Sequence, residues 1–111
     1  MASKITTVIN TKDRIFANGE EWGLFVRNNA PEDCTLISDL LNQYSTNVTF
    51  FSDEIHGNSI TKIIYCDNEN TYNNFAADYL VIKTQPESLY NFLTNCGYTW
   101  ESTVQHNIEM P

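Results

Sequence analysis

The chain has 111 residues, 41% of them hydrophobic and 13% aromatic, which suits one buried core and excludes both a two-domain enzyme and a disordered chain. Fourteen acidic residues against six basic ones leave a formal charge of −8. Such a surface repels phosphate, and the scattered Lys and Arg residues form no basic patch, so a direct nucleic-acid partner is not expected.

In chain order, Thr6 to Ile9 predicts a first strand. Asn18-Gly19, between Ile15-Phe16-Ala17 and Glu20 to Val26, predicts an N-terminal hairpin, because both central residues of a type I′ turn need positive φ. Trp22, Leu24 and Val26 then alternate onto one buried face. Pro31 to Tyr44 predicts an amphipathic helix that opens with Pro31-Glu32-Asp33 and buries Ile37, Leu40, Leu41 and Tyr44 at i, i+3, i+4 and i+7, with Leu36 beside them. Val48 to Phe51 and Ile60 to Cys66 predict strands. Asp67 to Thr71 is expected to be a loop, Tyr72 to Asp78 an irregular or briefly helical link, and Tyr79 to Lys83 a further strand. Pro86 to Gly97 predicts a second helix, with Leu89, Phe92, Leu93 and Cys96 on one face, Thr84 or Gln85 as cap and Gly97 at the left-handed position after the helix. Tyr98 to Val104 predicts the last strand. The expected fold is a single α+β domain over residues 1–111. Its sheet is mainly antiparallel, built from the N-terminal hairpin plus ferredoxin-like strands in two split βαβ units, with two amphipathic helices on one face.

The longest apolar runs, such as Tyr79 to Ile82, are strand-sized, so no membrane span is expected. Met1 to Thr7 carries one basic residue and leads into no apolar signal segment, which points to a cytoplasmic chain. Cys34, Cys66 and Cys96 are widely spaced and odd in number, which predicts reduced, buried small hydrophobes rather than a disulfide framework or zinc site. Fourteen asparagines against four lysines is a bias common in small proteins of A+T-rich genomes, bacteriophages among them; a phage-encoded chain would work in the host cytoplasm.

No catalytic residue, cofactor or metal site is predicted. The densest polar cluster, Ser52 to Ser59, contains Asp53, Glu54 and His56, and its expected role is a solvated hairpin turning at Gly57-Asn58. If it were a site, Asp53 and His56 would form the working pair. Asp53, His56 and His106 match no metal-ligand spacing. Cys34 lies in the first turn of a helix, where the dipole lowers a thiol pKa, but Glu32 and Asp33 oppose this and predict an unreactive cysteine. With four glycines in the chain, neither Gly-x-Gly-x-x-Gly nor a Gly-Lys-Ser/Thr phosphate loop occurs.

Charge is distributed unevenly. Residues 1–27 sum to +1, residues 28–61 to −5, residues 62–83 to −1 and residues 84–111 to −3. Glu32 and Asp39 are seven residues apart, hence on one helix face and about 10.5 Å apart at 1.5 Å per residue. Asp33, Asp53 and Glu54 extend that negative set. The function expected from these features is non-enzymatic: an inhibitor that lays an acidic face, Glu32, Asp33, Asp39, Asp53 and Glu54, on a basic protein partner, such as a phage counter-defence or host-takeover factor. The alternatives are a small-molecule-binding domain or small enzyme using the Asp53 to Ser59 loop, an immunity protein, or a self-associating component, for example a homodimer.

Overall fold

The computed structural model describes the backbone of residues 1–111 and the side chains of all but Ser52. The elements run β1 (Ala2–Asn10), α1 (Gly19–Asn29), α2 (Pro31–Gln43), β2 (Val48–His56), β3 (Ser59–Cys66), α3 (Glu69–Lys83), α4 (Leu89–Asn95) and β4 (Thr99–Ile108). The four strands form one sheet in the order β2-β3-β1-β4, with every neighbouring pair antiparallel. Two helices connect β1 to β2 and two connect β3 to β4, so each connection skips one strand. These are the two split βαβ units of a ferredoxin-like sheet.

Strand periodicity decides which face is covered. In β1, Ile9 is fully buried whereas Val8 is 40% exposed. The register pairs Ile9 with Ile60 and Trp100, and Ile5 with Ile64 and Val104, so these residues share the face that packs on the helices. The opposite face carries Lys4, Thr6 and Val8 of β1, aligned with Tyr65, Ile63 and Thr61 of β3, and it has no helices. Near the free end of β4 a bulge sets His106 and Asn107 against Ser3, and Asn107 takes φ 57, a conformation asparagine tolerates.

The helices pack through two apolar clusters. One gathers Leu40, Val48, Ile64, Cys66, Phe75, Tyr79, Ile82 and Tyr90; the other gathers Ile9, Phe16, Trp22, Ala30, Ile60, Leu89 and Leu93, and Trp100 touches both. Fully burying a side chain such as Phe75 or Leu93 contributes about 1.5–3 kcal/mol, so the short helices are held by the sheet rather than by their own propensity.

The α+β class, the antiparallel ferredoxin-like sheet, α2 and the β2–β3 pair agree with the sequence expectation. Three elements differ. The N-terminal hairpin is absent, because Asn18 caps α1: its side chain accepts from the Glu21 N–H at 2.9 Å, while the Glu21 carboxylate accepts from the Ala17 N–H at 3.1 Å. Trp22, Phe25 and Val26 then form the inward stripe, and Leu24 is exposed. Asp67 to Lys83 is not loop, link and strand. Asn68 caps α3 by accepting from the Thr71 N–H at 2.8 Å, and Tyr72, Phe75, Tyr79 and Ile82 face inward at helical spacing, leaving Leu80 and Val81 exposed. The last helix starts three residues later than its Pro86 suggests, because Ser88 supplies the cap to the Asn91 N–H at 3.1 Å. The helical layer therefore holds four helices rather than two.

Candidate functional site

Between the two apolar clusters the covered face of the sheet is polar. In β1, Thr7 stands between Ile5 and Ile9; in β3, Lys62 stands between Ile60 and Ile64; in β4, Ser102 stands between Trp100 and Val104. The register places Thr7 beside both Lys62 and Ser102, so the three make one row across three strands. Thr7 Oγ1 and Ser102 Oγ are 2.8 Å apart and share a hydrogen bond. Such a row belongs in a covered face only where polar groups find partners or a ligand.

A cavity of about 260 Å³ lies over this row, roofed by α3 and α4. Its floor is Thr7, Lys62, Ser102, Ile5, Ile64 and Val104, and its roof includes Tyr72, Ala76, Tyr79, Leu80, Lys83 and Tyr90. Thr7, Ile64, Tyr79 and Tyr90 are buried, whereas Leu80, Ser102 and Val104 are exposed. The cavity therefore runs from a closed end under α4 to a mouth between α3 and the edge strand β4. Its volume lies just below the roughly 300–1,000 Å³ typical of ligand sites.

At the closed end the Tyr79 and Tyr90 hydroxyls are 3.4 Å apart. The Lys83 ammonium lies 5.3 Å from the Tyr79 ring centre and 5.1 Å from that of Tyr90, within cation–π reach of both. Burial, reinforced by Tyr90, pushes the Tyr79 phenol well above its ordinary value. It therefore keeps its proton and offers a donor at neutral pH.

The five carboxylates assigned to an acidic face are divided. Glu32 and Asp39 are exposed on α2, in the helical layer, and Glu54 is exposed on the opposite side, where it pairs with Thr61 on the uncovered face of the sheet. Asp33 is buried, against the expectation that it faces a partner. Burial raises its pKa, opposed by a hydrogen bond from the Leu89 backbone and by Lys62. Asp53 points at α1, accepting from Trp22 Nε1 at 2.7 Å, and its other oxygen is buried without a partner. Among the described residues, no carboxylate lies within 4.0 Å of a Lys or Arg, since both ion pairs involve histidines. Lys4, Arg14, Lys62 and Lys83 instead lie over aromatic rings.

The Ser52 to Ser59 segment contributes to β2 and the start of β3, joined by a turn at Gly57-Asn58 in which Gly57 takes φ 63. His56 Nε2 lies 3.3 Å from Glu54, not beside Asp53, so the anticipated Asp53–His56 pair does not form. The turn is tied to the end of β1: the Asn58 carbonyl accepts from the Thr11 N–H at 2.8 Å, and Asn58 Nδ2 donates to the Lys12 carbonyl at 2.9 Å. Among the described residues no group of three or more His, Cys, Asp or Glu side chains comes together as a metal site.

One further arrangement has the composition of a Ser-His-carboxylate set. Ser3 Oγ is 2.7 Å from His106 Nδ1, and His106 Nε2 is 3.9 Å from Glu69. Ser3 has no exposed surface, so its hydroxyl cannot meet a substrate, and the contact instead ties β1 to the β4 bulge. Burial also raises the Cys34 thiol, with Asp33 adding to it against Lys62 and Arg27, and pushes Cys66 up to about 11. Neither is an activated nucleophile, and of the three cysteines expected to be buried only Cys66 is, with Cys34 half-buried and Cys96 exposed.

No protein-family model matches the chain, and no curated protein sequence matches it. Solved structures do. A dimeric ferredoxin-like protein from an uncultured marine organism is similar over 99% of this chain and 97% of its own, with a TM-score of 0.58 and 13% identity. A de novo designed protein, Foldit4, is similar over 97% of this chain and all of its own, at a TM-score of 0.48 and 9% identity. SnoaB, a cofactor-independent oxygenase from Streptomyces nogalater, is similar at a TM-score of 0.42 and 10% identity, over 98% of this chain and 95% of its own. The first of these likenesses shows the ferredoxin-like fold.

Proposed function

We propose that this chain is a small-molecule-binding domain whose ligand occupies the cavity between the sheet and the α3–α4 layer. The observation that carries this proposal is the row Lys62, Thr7 and Ser102, polar at the middle inward position of three adjacent strands and opening onto the cavity. A sheet face selected for packing alone would be apolar there. The proposed role is binding without turnover.

Substituting Ala76, on the roof, with phenylalanine fills the space. A thermal-shift survey of small metabolites should find compounds that stabilise the parent chain and not Ala76→Phe. Hits that stabilise both equally would place binding elsewhere and end the proposal. Methyl chemical shifts of Ile5, Ile64 and Val104 report the same occupancy without relying on the variant.

A homodimer is proposed separately. The uncovered sheet face exposes Val8 and Phe51 near Ile63 and Tyr65, and the similar ferredoxin-like protein is described as dimeric. Light scattering should show a dimer that Phe51→Glu converts to a monomer; a parent chain that is monomeric at high concentration ends it. Docking of the exposed carboxylates on a basic partner also stays a proposal, supported by their lack of Lys or Arg partners among the described residues. A partner retained unchanged at high salt would contradict it.

A further inference from the structure

We infer that the ligand of this cavity is a small organic carboxylate: an acceptor-only head held by the Lys62 and Lys83 ammonium groups and the adjoining hydroxyls, and a compact apolar body against Ile64, Ala76 and Val104. This rests on the proposed binding function and names the class of molecule bound.

The first ground is charge. Lys62 and Lys83 are the charged residues lining the cavity, both positive, in a chain whose formal charge is −8. Neither has a carboxylate within 4.0 Å among the described residues. Lys83 rests on Tyr79 and Tyr90, and Lys62 lies 5.4 Å from the Phe50 ring centre. Aromatic faces attract a cation without cancelling its charge. Asp33, the acid whose carboxyl Lys62 acts on, does not line this cavity. Two lysines thus line a partly closed space with no carboxylate within 4.0 Å of either among the described residues, and an anion reaching their ammonium groups gains charge-assisted hydrogen bonds.

The second ground is the balance of donors and acceptors. Two ammonium groups bring donors, the Tyr79–Tyr90 phenol pair brings the one proton not spent on its own 3.4 Å contact, and the hydrogen-bonded Thr7–Ser102 pair donates or accepts as needed. A carboxylate accepts at both oxygens and meets this wall without an unpaired donor of its own. An amide or ammonium head would bring N–H groups to a surface already rich in donors. The small volume and the apolar walls restrict the body to metabolite size. The strongly negative remainder of the molecule discourages the same anion from settling elsewhere.

The test compares 3-phenylpropionate with 3-phenylpropanamide, which share a body and differ in the head, by methyl chemical-shift titration of the parent chain, Lys62→Met, Lys83→Met and Ala76→Phe. The parent should bind the carboxylate about tenfold or more tightly than the amide. Each lysine variant should lose most of that preference while still binding the amide, and Ala76→Phe should lose both ligands. Equal or tighter binding of the amide, or a preference that survives in both lysine variants, overturns the carboxylate inference and leaves the pocket standing. Absence of both ligands from the cavity, or binding that persists unchanged in Ala76→Phe, overturns the pocket and the inference with it. Methionine matches lysine in length and apolar stem, so the lysine variants should fold, and the retained amide titration verifies that they have.

Discussion

Asp33 shows how a single side chain can be placed correctly in an element and wrongly in its environment. It occupies the first turn of α2, where a carboxylate favours the helix dipole, yet it is buried. Burial is the largest influence on its pKa and raises it above 3.8, with the Leu89 backbone and Lys62 opposing. The folded chain therefore holds this proton more tightly than the unfolded chain. The resulting stabilisation is complete below about pH 3.8 and is lost as pH rises through the higher folded value. Asp33→Asn keeps an acceptor for the Leu89 N–H and removes the titration. Its melting temperature should exceed the parent's at pH 7, with the difference shrinking as pH falls toward 3.8. Thermal melts across this range measure it; a variant less stable than the parent at pH 7 would mean that attraction to Lys62 outweighs burial.

At the level of elements, three of the four helices begin with the same device: Asn18, Asn68 and Ser88 each accept from the N–H three residues on. Replacing Asn18 or Asn68 with alanine should cost about 1 kcal/mol each, whereas glycine should cost only a few tenths. Urea denaturation distinguishes the two. If alanine and glycine prove equally harmless, the caps carry no stability and packing alone sets the helix starts. The same residues explain what is legible in the sequence. α2 is readable because Pro31 and a clean i, i+3, i+4, i+7 stripe agree, and the β2–β3 pair because Gly57-Asn58 separates two β-rich runs. α1 reads wrongly as a hairpin because Asn18-Gly19 serves equally as a turn and as a cap followed by a first helical residue; the spacing of Trp22, Phe25 and Val26 separates the two. α3 reads wrongly as a strand because Tyr79 to Ile82 is a strand-length apolar run, whereas the period continues back through Phe75 and Tyr72 to the Asn68 cap. The polar row is legible in principle, as one polar residue between two inward apolar ones in each of three strands. Recognising it needs the register that aligns Thr7 with Lys62 and Ser102, and register between distant strands is not written locally.

For the whole molecule, the polar row divides what would otherwise be one continuous core, and that division bears on stability as well as on binding. Thr7 and Ser102 satisfy each other at 2.8 Å, so removing Ser102 would strand the buried Thr7 hydroxyl, while removing both leaves no orphan. Lys62 occupies a position between Ile60 and Ile64 where an unbranched apolar side chain would reach both clusters. The triple variant Thr7→Val, Lys62→Met, Ser102→Ala should therefore join the clusters and raise stability by about 1 kcal/mol or more, while abolishing carboxylate binding. Function-bearing sites commonly hold stability below its attainable maximum, and a gain of this sign is expected where polarity serves a ligand rather than the fold. Urea denaturation of the unliganded triple variant decides the matter. A marked loss of stability would show that the row holds the sheet and helices together, and the structural case for a ligand would weaken accordingly.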